Sequence, residues 1–415
     1  MWSAIIENGT ARLVAALSQV FVLVLTAWLL GAENRGVLVV VITWSALFAA
    51  VAGLSLGQVS HHEIQLRGTR DWLPDLAGTM LAMGVGLSIV AYAGFVLMSW
   101  LQPLAPFRGV PRHIVALAGL LIPLVVLDEY LRNLLSASHR ARWYAVAQST
   151  GGLLRAVLVY LAAGPLHSGV GGVLLGLVAS QFLVVGLEMW AIRVAAGGCL
   201  KVNARYALSL LRGAMRLHPN TIASFLLAYS NVLLLSQLDT KSSVAWFQLA
   251  LQLASTLLLL PQAAAMKFLG VIARDGPDAA WPEQRRAIAQ VMCVVLLLAF
   301  VTAAVAGMLV KLVAGPEFLP AVELLRWLLP AMVGLSLAEL LAPQWYGRGF
   351  FLLSTSLTVV VATANVALNY VFIARYGVVG AAWGTTISCV GVVVVAQLAF
   401  AAWCDRRSQT SAAAV

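Results

Sequence analysis

Between Ala364 and Val390 the chain reads ANVALNYVFIARYGVVGAAWGTTISCV. Two apolar helical runs are separated there by only Ala374–Gly377, so they must lie side by side and antiparallel. The second run opens with Gly380, Ala381, Ala382 and Gly384. Small residues at a helix contact let two backbones approach closely, which is how helices associate in lipid, where apolar side chains gain nothing by leaving the solvent.

The rest of the chain repeats this style. Hydrophobic residues make up 61% and charged residues 10%, against about 25% charged in an ordinary soluble domain. There is too little polar material to coat a globule in water. A helix needs roughly 20 apolar residues to cross the hydrocarbon core. Twelve such spans are predicted, at about 11–30, 37–57, 76–101, 113–136, 143–163, 170–192, 218–238, 244–270, 287–313, 323–346, 350–374 and 378–402. The fold class expected is an all-α polytopic membrane protein. No charged leader with a small-residue cleavage site precedes the first run, which therefore reads as a retained span.

Loop charges set the expected orientation. With both termini in the cytoplasm, Arg67, Arg70, Arg140, Arg142, Arg193, Lys201, Arg205, Arg212, Arg216, Arg274, Arg285, Arg286, Arg348, Arg406 and Arg407 fall inside. The outer loops then keep Arg35, Arg108, Arg112, Lys241, Lys311 and Arg375, the asymmetry of the positive-inside rule. The net charge of +10 is thus a topology signal. A nucleic-acid partner would need a basic face on a folded soluble domain, and no segment is long enough to form one. Cys199, Cys293, Cys389 and Cys404 fall in spans or on the inner side and lack zinc-site spacing, so neither a disulfide nor a metal site is expected.

A shift of 208 residues places Pro74 on Pro282, Arg140 on Arg348, Gly169 on Gly377, Gly172 on Gly380 and Gly176 on Gly384. A constant offset along the chain predicts two six-helix halves. Because six is even, both halves enter the membrane from the same side, as parallel repeats do. The expected division is 1–192 for the first lobe, 193–217 for a basic linker, 218–402 for the second lobe and 403–415 for a cytoplasmic tail, disordered from Ser408. Within the linker, Arg205, Arg212 and Arg216 alternate with Leu208 and Leu211, a pattern suited to a helix lying on an anionic leaflet.

Polar groups inside spans are the functional candidates, because charge in hydrocarbon is costly and usually faces a cavity or a partner. Arg155 lies near the middle of span five, with Gln148, Gly151 and Gly152 on the same helical face. Its guanidinium offers a fork of donors suited to phosphate oxygens, or it pairs with a carboxylate of a neighbouring helix. In span four, Asp128 and Arg132 are spaced for an intrahelical ion pair, which leaves Glu129 to take a coupling proton or cation. Asp128, Glu129 and Glu339 of span ten are the coupling candidates. Amide and hydroxyl stripes occur at Gln248, Gln252 and Ser255, at Asn220, Ser224 and Asn231, and at Thr358, Asn365 and Asn369. Such groups bind sugar hydroxyls or join helices, so Gln248, Gln252, Asn231, Asn365 and Asn369 stand with Arg155 and Gln148 as substrate-binding candidates.

The hairpin at Ala364–Val390, together with LLGAENRGVLVVV from Leu29, SSVAWFQLALQLASTLLLLPQAAA from Ser242 and AGPEFLPAVELLRWLLPAMVGLSL from Ala314, resembles the multidrug/oligosaccharidyl-lipid/polysaccharide (MOP) exporter superfamily. Within it, the polysaccharide-biosynthesis, O-antigen (Wzx-type) flippase branch is the one resembled. That resemblance implies a bacterial inner-membrane protein that moves an undecaprenyl-diphosphate-linked oligosaccharide between leaflets by alternating access of two lobes. It also implies membrane lipids and polysaccharide assembly machinery as partners, and no cofactor other than a coupling proton or Na+. The alternatives are a cation-coupled multidrug exporter of the same superfamily and an integral-membrane polysaccharide polymerase. An exporter would show a cluster of intramembrane acids, and a polymerase a large outer loop or catalytic acidic motif. No phosphate loop, metal cluster or nucleophile arrangement is present.

Overall fold

The computed structural model describes residues 2–65, 72–100, 106–138 and 140–413; Arg67 and Arg70, two of the charges expected inside, lie outside the described residues. Among the described residues the chain is helical, and ten helices are long and apolar enough to cross a membrane. Two of these contain a break. Helix α1 (Trp2–Ala52) turns at Gly31 (φ 71°, ψ 177°) and α13 (Phe351–Ser388) turns at Gly377 (φ 58°, ψ −140°). Division at the two breaks gives the twelve spans expected from the sequence.

The chain forms two compact units, Met1–Phe225 and Leu226–Val415. The first holds α1, α2 (Leu56–Gln65), α3 (Leu73–Met98), α4 (Arg112–Gly119), α5 (Leu121–Ala137), α6 (Ala141–Ala163) and α7 (Gly169–Ala195). Its core surrounds α5. Tyr130, Leu131 and Leu134 are fully buried there, and the Tyr130 hydroxyl donates to the Gly53 carbonyl at 2.8 Å. Phe95 packs edge to face against both Phe48 and Phe107, with ring centroids 5.3 Å apart in the two pairs, the geometry that ring quadrupoles favour.

The second unit holds α9 (Lys241–Ser255), α10 (Leu259–Asp275), α11 (Pro277–Ala314), α12 (Ala321–Gly347), α13 and α14 (Val395–Ala413). Here α12 is central, packed against α9, α10, α11 and α13. Trp345 of α12 stacks on Phe400 of α14 with ring centroids 3.9 Å apart and donates to Gln397 Oε1 at 3.0 Å. A six-residue π-helix, Cys389–Val394, joins α13 to α14.

Three expectations are corrected. The segment 193–217 is no separate linker: from Ala204 it runs straight into span seven as α8 (Ala204–Leu238), and the units divide inside that helix. Its start is held by the first unit, where the Lys201 amide donates to the Pro74 carbonyl at 3.0 Å and the Asn203 amide to Thr79 Oγ1 at 2.8 Å. The tail expected to be disordered continues α14 to Ala413, because Asp405 anchors that helix by accepting from Trp281 Nε1 and from Arg285, both at 2.8 Å. Arg35, expected in an outer loop, is a buried residue of α1, since the turn takes up only Gly31.

The repeat is visible in the backbone. Gly169 and Gly377 both adopt the left-handed region, at φ 60° and 58°, where an L side chain is strained. Each opens the second leg of a tight helical hairpin, α6–α7 in the first unit and the two legs of α13 in the second.

Candidate functional site

Polar side chains meet between α5, α6 and α7 in the first unit. The hairpin legs α6 and α7 approach closely because Gly151 has no side chain; a Cβ there would overlap Val184 Cγ2 of α7. That contact divides two polar layers.

In the first layer Arg155 of α6 reaches α7. Its Nη2 donates to Gln181 Oε1 at 3.0 Å and its Nε to Ser180 Oγ at 3.4 Å. Ser180 and Gln181 are both buried. Among the described residues no carboxylate lies within ion-pair distance of Arg155, and Asp128 acts on it only at longer range. Its partners are therefore neutral, and its charge is not neutralised by contact.

In the second layer Gln148 Nε2, seven residues before Arg155 on the same face, donates to Asp128 Oδ1 at 2.9 Å. Glu188 of α7 faces both Asp128 and Gln148. It is fully buried, and neither of its carboxylate oxygens receives a hydrogen bond. The expected Asp128–Arg132 ion pair is not formed, because Arg132 turns to Tyr144 of α6 while Asp128 turns to Gln148. Glu129 points the other way; a Cβ on Gly53 would lie 3.5 Å from its Oε2.

In the second unit Asn231, Asn365 and Asn369 come together as one buried network. Asn365 Oδ1 accepts from Ser230 Oγ at 3.0 Å and from Asn369 Nδ2 at 2.9 Å, and its Nδ2 donates to Ser388 Oγ at 2.7 Å. Asn369 Nδ2 also donates to Asn231 Oδ1. The amides face one another and tie α8 to both legs of α13, the helix-joining role open to intramembrane amides. They are buried and bonded mainly to one another, with Asn369 Oδ1 left without a partner among the described residues.

The other candidates are dispersed. Gln248 Oε1 is buried on α9 without a partner, Gln252 is exposed, and Glu339 of α12 is half-buried beside Gln262 of α10.

Sequence reading missed Glu188, Gln181 and Ser180. The signal was available: an acid inside the apolar run GVGGVLLGLVASQFLVVGLEMW is costly in lipid unless it has a use, and it falls seven residues after Gln181, on one face of α7.

Neither a protein-family model nor a curated protein matches the chain. Solved structures do. A lipid II flippase MurJ in an inward closed conformation superposes with TM-score 0.78 at 13% identity, covering 95% of this chain and 87% of that one. A multidrug resistance MATE family transporter of the MOP superfamily, inward-facing, gives 0.71 at 17% identity over 95% of each chain. A MOP superfamily transporter from Pyrococcus furiosus gives 0.57 at 14% identity over 97% of this chain and 93% of that one. These proteins are transporters and flippases, and the chain shares their all-helical fold.

Proposed function

We propose that the protein is a flippase that carries an anionic, lipid-linked oligosaccharide, of the undecaprenyl-diphosphate class, across a bacterial inner membrane by alternating access. The observation that carries this reading is Arg155. A guanidinium inside a span, engaged among the described residues by Ser180 and Gln181, keeps its charge for a ligand, and the diphosphate group is an anion whose oxygens match its fork. The likeness to a lipid II flippase supports a lipid-linked cargo. Membrane lipids and the polysaccharide assembly machinery are the partners this role requires, and the loop charges support cytoplasmic termini.

A second reading, a cation-coupled multidrug exporter, gains from Glu188, which with Asp128 and Glu129 supplies the intramembrane acids such a protein needs.

The test is transport by purified protein in vesicles. Removing a hydrogen bond to a charged group costs about 1.5–3 kcal/mol, which is about 10–100-fold in affinity. Arg155→Gln is expected to insert normally and to lose flipping of a lipid-linked diphosphate probe by that order, with Arg155→Lys in between. Full flipping by a well-inserted Gln variant excludes Arg155 from the site. Export of organic cations by the wild type, without flipping, establishes the second reading.

A further inference from the structure

Asp128 and Glu188 pose a problem of charge. They face one another from α5 and α7 inside the spans, and Glu188 is fully buried with both oxygens unpartnered. Two ionised carboxylates in contact at low dielectric repel strongly, and an unpaired buried carboxylate also forfeits its hydration. One proton between them removes both penalties: a neutral carboxyl supplies the O–H donor that the pair lacks, and the remaining negative charge accepts it.

The surroundings decide against a metal cation. The titratable and charged groups facing the pair are Arg132 of α5 and Tyr144 and Arg155 of α6; Glu129, next to Asp128 on α5, points away toward Gly53. A sodium-sized ion would need several more oxygen ligands, whereas Gln148, the further amide in contact among the described residues, has its nitrogen turned to Asp128. Two guanidiniums nearby oppose a further positive ion. A proton needs one oxygen and no shell.

We propose that Asp128 and Glu188 form a proton-binding pair that regulates the anion site at Arg155. Asp128 is the carboxylate whose field reaches Arg155. When a proton from water forms the O–H bond on the pair, one negative charge within electrostatic range of the guanidinium disappears, and Arg155 attracts an anion more strongly. When that bond breaks and the proton returns to water, the charge is restored and the anion is released. Linkage makes the effect reciprocal: a bound anion favours the protonated pair by the same factor. Proton and anion therefore bind together and do not displace one another. The regulatory half of this proposal rests on the flippase reading; the shared proton does not.

The experiment uses the full-length protein in lipid nanodiscs. Infrared difference spectra across a pH step should show the C=O stretch of a protonated carboxyl in the wild type, lost in both Glu188→Gln and Asp128→Asn, and retained in Arg155→Gln. Binding of undecaprenyl diphosphate should take up protons from weakly buffered solution and weaken as pH rises. In Glu188→Gln, whose amide stands in for the protonated acid, proton uptake should vanish and tight binding should persist at the higher pH. A carboxyl band unchanged in both variants overturns the shared proton, as does a band removed by sodium at constant pH. Proton release on anion binding, or equal uptake by wild type and Glu188→Gln, overturns the regulation. Absence of any undecaprenyl diphosphate binding overturns the flippase reading and the regulation with it, while the carboxyl band still reports on the pair. Should Glu188→Gln fail to fold, Asp128→Asn carries each comparison.

Discussion

Ser180 and Ser388 are 208 residues apart, and each hydroxyl accepts a hydrogen bond from the preceding leg of its own hairpin, Ser180 from Arg155 Nε at 3.4 Å and Ser388 from Asn365 Nδ2 at 2.7 Å. The two halves share the acceptor position, while the donor differs in chemistry and does not occupy the equivalent position, which in the second half is Thr363. In the first unit the donor is charged, and in the second it is a neutral amide locked among other amides.

The amide network should behave as a structural joint. Asn365→Ala removes three bonds together, those it accepts from Ser230 and Asn369 and the one it donates to Ser388. Intramembrane hydrogen bonds contribute about 0.6–1.7 kcal/mol each. A clear drop in thermal stability in detergent is expected, with turnover per folded molecule retained. A stable Asn365→Ala variant that no longer transports would instead return these amides to the substrate path.

The close approach of α6 and α7 makes a second expectation. Gly151→Ala forces a methyl against Val184, and overpacking of this kind costs about 1–3 kcal/mol. Adding Val184→Ala should recover most of the loss. Equal stability of all three proteins, read by thermal unfolding, would show that the hairpin yields without cost.

At the end of α12 the Arg348 side chain is 3% exposed and pairs with Asp278 of α11 at 2.6 Å, while its Nε donates to Gln344 at 3.1 Å. Asp278→Asn removes the countercharge and leaves the guanidinium buried. With hydrogen bonds to charged groups contributing about 1.5–3 kcal/mol, the variant should unfold at lower temperature than wild type. Asp275→Asn is the control, since Asp275 binds the exposed Arg274 and such surface pairs contribute about 0–1 kcal/mol.

Orientation can be read with reporter fusions. Fusions at Arg142, Ala204 and Arg406 should report cytoplasm, and those at Phe107, His167 and Arg375 the opposite side, if the loop charges set topology. An outer report at Ala204 would refute the arrangement of two parallel halves.

What was legible in the sequence followed from local pattern. Apolar runs of span length are visible one segment at a time, and Gly169 recurs at Gly377 under a constant shift, so span number, hairpins and internal repeat could be read directly. The pairing of Glu188 with Asp128 could not, because it joins α7 to α5 across sixty residues of chain and no spacing rule links them. For Asn231, Asn365 and Asn369 the residue type was ambiguous in itself: an amide that holds helices together and one that binds a sugar look alike until burial is known. Arg35 was misplaced because the polar run Glu33–Gly36 looks like a loop, whereas a single glycine makes the turn.

The position 208 residues beyond Asp128 is Ser336, beyond Arg155 is Thr363 and beyond Glu188 is Ala396; in the other direction Asn365 and Asn369 correspond to Val157 and Leu161. Neither polar centre survives in the opposite half. A duplicated scaffold of this kind has specialised, one copy keeping groups whose charge responds to its surroundings and the other becoming a neutral keel indifferent to pH and salt. A chimaera of two first halves would not restore an ancestral transporter; it would carry two responsive centres and no keel.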